Sequence, residues 1–168
     1  MPRTSHPKKS VRLLIKPKSV IATPRDLFSR LFSNQSGNIV WITSKLFRYI
    51  VQRAKQNNPM TRDGWLYFVI HEIAHPYEKK AIIDYIESHK NMRRDTLLHK
   101  LREISQKYGG EFAKIQSSYG KALQILRGAG MIEYRDGAYY PSRRFSEHLK
   151  SVAEYYDYIL ENPPAEGW

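Results

Sequence analysis

The feature that most restricts the fold of this chain is a change of period between residues 112 and 145. Ala122, Leu123, Ile125 and Leu126 recur at helical spacing, and Gly128-Ala129-Gly130 then stops the helix. Ser117 or Ser118 is placed to cap its start, which predicts a helix over 118–127. Two short runs follow, 131–134 and 138–140, joined by Asp136-Gly137. That dipeptide tolerates the positive φ angles of a two-residue hairpin turn, so the runs read as paired strands, and Pro141 ends the second. A last helix starts at Ser142 or Arg143 and runs to Leu160, with Phe145, Leu149, Val152, Tyr155, Tyr156 and Ile159 near one face. The order helix, hairpin, helix predicts a mainly α fold with a small β-hairpin, an α+β class.

Upstream, the punctuation is again helical. Thr23 as N-cap and Pro24 at the first position predict a helix through Leu27, Phe28, Leu31 and Phe32, halted by residues 33–38. Thr43 or Ser44 then caps a helix with Leu46, Phe47, Ile50, Val51 and Ala54 inside and Lys45, Arg48, Arg53 and Lys55 outside. Residues 65–74 fit helix or strand by periodicity, with helix favoured, and helices are expected over 77–88 and 94–107, the second ended by Gly109-Gly110. The expected organisation is a flexible basic arm (1–19), a helical N-terminal region (20–90), a hairpin-containing domain with its C-terminal helix (91–161) and a disordered tail (162–168).

Charge is distributed unevenly along this frame. The net charge is +12, and residues 1–62 hold thirteen Lys or Arg against the single acid Asp26, so the rest of the chain is neutral overall. Within that rest, 91–145 carries eleven bases and five acids, and 146–168 one base and five acids. Two positive regions and an acidic end point to a polyanionic partner, because each neutralised phosphate releases condensed counterions. A merely solvated basic surface is the bland alternative. The prolines at 2, 7 and 17 interrupt any amphipathic transit helix in the arm. The absence of cysteine removes disulfides, thiolate metal sites and cysteine nucleophiles. The longest uncharged apolar run, 65–70, is too short to cross a bilayer.

Helix, glycine, apolar pair and hairpin, here 118–127, Gly130, Met131-Ile132 and 131–140, resemble the winged helix-turn-helix superfamily over roughly residues 93–146. The resemblance implies a recognition helix in the major groove of DNA with the hairpin as wing. It assigns DNA contact to Ser117, Ser118, Tyr119, Lys121 and Gln124, to Arg135 at the hairpin tip, and to Arg143 and Arg144 beyond it. Arg3, Lys8, Lys9 and Arg12 of the arm would add phosphate contacts. Tyr119 reads equally well as a core residue. Only residues 111–116 separate Gly110 from Ser117, so either the helix before the turn is a single turn or 94–107 takes its place. The last helix closes the domain's own core or pairs with a second copy through Phe145, Leu149, Val152, Tyr156 and Ile159. A homodimer is the favoured expectation because dimers match two half-sites.

One motif competes. His71-Glu72-Ile73-Ala74-His75 matches H-E-x-x-H and resembles zincin metallopeptidases, in which His71 and His75 would bind zinc with Glu72 as base. Pro76 disfavours helical geometry at His75, and Glu103 is the only tempting third ligand. The simpler reading has His75 capping the helix that Pro76 begins. The expectation is therefore a non-enzymatic protein without cofactor that binds double-stranded DNA, most simply a transcriptional regulator. It would be cytoplasmic and nucleoid- or DNA-associated, or nuclear or mitochondrial in a eukaryote. Replication, partition or chromatin-architectural roles, RNA or ribosome binding, and a zinc peptidase are the alternatives.

Overall fold

The computed structural model describes residues 24–162, with side chains from Asp26 onward. Seven helices and three short strands follow in the order α1 (Pro24–Leu31), α2 (Gly37–Lys55), β1 (Met60–Thr61), a 3-10 turn (Arg62–Gly64), α3 (Trp65–Glu72), α4 (Pro76–Ser88), α5 (Arg94–Tyr108), α6 (Glu111–Gly128), β2 (Ile132–Arg135), β3 (Ala138–Pro141) and α7 (Arg144–Glu161). The fold is thus mainly helical with a small antiparallel sheet, as the α+β expectation has it. None of these helices is long and apolar enough to cross a membrane.

Each helix forms where an apolar stripe meets a stop signal. α1 buries Phe28 and Leu31, Phe32 is buried just past its end, and the Phe28 ring packs 5.7 Å from Phe47 on α2. α3 buries Trp65, Phe68 and Val69 and ends at Glu72, because Ile73 turns to an extended backbone. α5 ends at two glycines in left-handed conformation, Gly109 (φ 118°) and Gly110 (φ 78°), and the Gly110 N–H donates to the Ser105 carbonyl at 2.9 Å. A Cβ at either φ would be strained, so this pair fixes a two-residue link between α5 and α6.

Two starts differ from expectation. α2 begins at Gly37, well before Thr43 and Ser44, whose hydroxyls donate to the Ile39 and Trp41 carbonyls inside the helix. Likewise α6 begins at Glu111, so Ser117 and Ser118 sit in its middle and cap nothing. Residues 111–116 are its first turns, and α5 is the helix that precedes it. Hydroxyl side chains satisfy a carbonyl three or four residues back as readily as they cap, and local sequence does not separate the two uses.

The hairpin turns at Asp136 (φ 50°) and Gly137 (φ 80°), as the dipeptide predicts. β3 is central in the strand order β1-β3-β2, with Met60 opposite Tyr139 and Tyr134 opposite Tyr139 on the other side. β1 was not foreseen. A single apolar cluster runs from Phe28 to Tyr139 and includes Leu46, Ile50, Ile82, Leu101, Phe112 and Leu126. It spans the boundary expected near residue 90, so the two regions share one core. α7 stands apart: none of its residues is buried, and only Phe145 packs against the cluster. The last helix therefore does not close the domain's own core.

Candidate nucleic-acid interface

α6 is held from its first turn by a carboxylate exchange. Glu78 on α4, fully buried, accepts hydrogen bonds from the Phe112 N–H (2.8 Å), the Glu111 N–H (3.2 Å) and the Ser105 hydroxyl (2.6 Å). Glu111 reciprocates by accepting from the Ala74 and His75 N–H groups at 2.7 and 3.0 Å. The first N–H groups of a helix lack internal partners and carry its positive end, so a buried carboxylate there satisfies both donors and dipole. Four segments, α4, α5, α6 and the α3–α4 turn, are thereby locked at one point.

Further along, Phe112, Ile115, Ser118, Ala122 and Leu126 face inward. Ser118 is buried and accepts a hydrogen bond from Asn38 on α2 at 3.0 Å. Tyr119 lies between Trp65 and Phe68, each ring centroid 6.0 Å away, and burial pushes its phenol well above the usual range. Ser118, expected as a contact, lies on the core side of the helix, and Tyr119 packs against the core, the second of its two expected readings.

The opposite face carries Lys114, Ser117, Lys121, Gln124 and Arg127, all exposed; Lys114 Nζ donates to the Gly109 carbonyl at 3.4 Å and Ser117 to the Lys114 carbonyl at 2.9 Å. Between Phe112 and Gly128 there are three bases and no acid. Lys114 was missed as a site residue because the helix was started too late; Arg127 lies at the end of the expected helix and was not assigned a contact. Gly109-Gly110 is the signal that would have found Lys114, since helical spacing holds from there to Leu126.

α6 leads at once into the hairpin. Arg135 lies over the Tyr140 ring, 4.5 Å from its centroid, with Glu133 3.6 Å away. Arg143 and Arg144 are exposed, and α7 is rooted beside the α6 exit: the Phe145 N–H donates to the Gly130 carbonyl at 3.1 Å, and a Cβ on Gly130 would meet Arg144 Cβ at 3.3 Å. The arm residues Arg3, Lys8, Lys9 and Arg12, and the tail beyond residue 162, lie outside the described residues. On α2, Lys45 pairs with Glu72 at 3.3 Å and Arg53 lies over Tyr49, whereas Arg48 and Lys55 are open.

His71 and His75 do not share a helix. α3 ends between them, His71 pairs with Glu72 at 2.9 Å, and His75 is the N-cap of α4, its Nδ1 accepting from the Glu78 N–H at 3.3 Å. Glu103 accepts from Lys100 at 2.7 Å, and that hydrogen bond holds its carboxyl below the usual range. Among the described residues no group of three or more His, Cys, Asp or Glu is placed to hold a metal ion. No family model matches this chain, and neither a curated protein nor a solved structure matches it.

Proposed function

We propose that this chain binds double-stranded DNA in the manner of a winged helix, with α6 in the major groove and the β2–β3 hairpin as wing, most simply as a transcriptional regulator. The observation that carries the reading is the acid-free outer face of α6, on a helix clamped at its start and followed at once by a hairpin bearing Arg135. An α-helix fits the major groove, and groove contact needs polar or basic side chains opposite the core. Lys121 and Gln124 occupy the middle of that face; Gln offers the donor and acceptor that match adenine, and Lys reaches guanine or phosphate. Lys114 and Arg127, with Arg135, Arg143 and Arg144, act on phosphates and set register. The strand order β1-β3-β2 favours the same reading, because a short strand between α2 and α3 pairs with β3 and adds a third strand to the hairpin. The N-terminal bases add affinity without choosing sequence.

The test is selection from a pool of random duplexes, followed by titration of the selected site, a random duplex and a structured RNA. Enrichment of a discrete site and preference for it are expected. Tighter binding to RNA than to any duplex would replace this reading with an RNA-binding one.

A further inference from the structure

α7 leaves the body at Phe145 and presents its apolar residues to solvent: Leu149 is 37% exposed, Val152 53% and Tyr156 61%. An isolated helix of this length draws little stability from propensity, and Val, Ile and three Tyr lower it further. Such a helix needs a surface to cover it. The steps from Phe145 to Leu149, Val152, Tyr156 and Ile159 alternate four and three residues, the spacing of a two-helix seam. Phe145 packs on its own core, so Leu149, Val152, Tyr156 and Ile159 are the free part of that seam.

Charge chooses the occupant and its direction. Residues 143–150 hold Arg143, Arg144 and Lys150 against Glu147, whereas 151–161 hold Glu154, Asp157 and Glu161 with no base. Each helix thus has a basic root and an acidic tip, complementary to itself only when reversed. Antiparallel pairing also opposes the helix dipoles, while parallel pairing sets like charge beside like. We infer that α7 pairs with α7 of a second copy in antiparallel fashion, about a two-fold axis between Val152 and Tyr156. Val152 then meets the partner's Tyr156, Leu149 meets the partner's Ile159, and the interface is isologous. This pairing is independent of what the α6 face binds.

The chain has no cysteine, so its orientation can be read directly. In sedimentation equilibrium, the full chain at tens of micromolar should show twice its 19.8 kDa mass. Val152→Glu, exposed in the single chain, should raise the dissociation constant by at least about 100-fold while the body stays folded. Under mild oxidation, Ala153→Cys should cross-link to its own copy. Ser146→Cys and Leu160→Cys should each stay uncrosslinked alone and cross-link when mixed. A monomer at that concentration, a Val152→Glu chain that remains dimeric, or self-cross-linking of Ser146→Cys would each overturn the proposal.

Discussion

α6 and α7 are both eighteen-residue helices with apolar residues at helical spacing, and the molecule treats them in opposite ways. α6 buries Phe112, Ile115, Ser118, Ala122 and Leu126, and α7 buries nothing. The difference lies at their ends. α6 enters through two left-handed glycines and is clamped by Glu78, which lays its stripe along α2 and α3; α7 departs from the sheet with one anchoring residue. Periodicity therefore says that a face needs covering, and the connections decide what covers it.

The largest expected effect tests that contrast directly. Phe112→Ala should cost about 3–5 kcal/mol of folding stability, the range for an aromatic removed from a packed core. Leu149→Ala, measured by urea unfolding of dilute protein where copies are separate, should stay within about 0.5 kcal/mol of the parent. A large loss from Leu149→Ala in the monomer would mean that α7 packs on its own body.

The second effect concerns the clamp. Glu78→Ala leaves the Glu111 and Phe112 N–H groups and the Ser105 hydroxyl without their buried acceptor and should cost about 3 kcal/mol. A reduced unfolding midpoint with unchanged denaturant slope is the expected reading. Loss of less than about 0.5 kcal/mol would show that the helix start finds other partners, such as water.

These two residues mark the boundary of what was legible. Phe112 lies on a stripe that runs back from Leu126 at helical spacing, and its burial follows from local sequence. Glu78 does not: it sits in a charged stretch of α4 and reads as surface, since its acceptor role is created by a helix start more than thirty residues later. The same separation hid β1, two residues long, which exists only because β3 offers an edge. Conversely, the His75 cap and the Asp136-Gly137 turn were legible because Pro76 and Gly137 fix the backbone locally. On the candidate site, Lys121, Gln124 and Ser117 are exposed as expected and Tyr119 takes the core reading left open for it, whereas the burial of Ser118 was missed for want of the helix start that sets its phase.

The third prediction sets the outer faces of the two helices against each other. Lys121→Ala or Gln124→Ala should weaken binding to the selected duplex by about 1–3 kcal/mol with little effect on random duplex. Lys150→Ala on α7, which pairs only with Glu154 at 3.6 Å among the described contacts, should leave site preference unchanged. Fluorescence titration of both duplexes checks it, and equal losses from Lys121→Ala and Lys150→Ala would remove α6 as the reading element.

The smallest effect divides α6 against itself, at two adjacent serines. Ser118 is buried and accepts from Asn38, so Ser118→Ala strips a partner from a part-buried amide and should cost about 1 kcal/mol of stability. DNA affinity of the folded protein should not change, because the hydroxyl faces α2. Ser117 is exposed and donates only to the Lys114 carbonyl one turn back, a bond with little net value in water. Ser117→Ala should therefore leave stability within about 0.5 kcal/mol, and any loss should appear in duplex affinity. One residue of helix rotation separates the two outcomes, so the pair reports the phase of α6 more sensitively than any larger substitution. Thermal unfolding and duplex titration of both variants read it out. If Ser118→Ala lowers affinity at unchanged stability while Ser117→Ala does the reverse, α6 is turned about its axis relative to this structure and Lys121 and Gln124 no longer define its outer face.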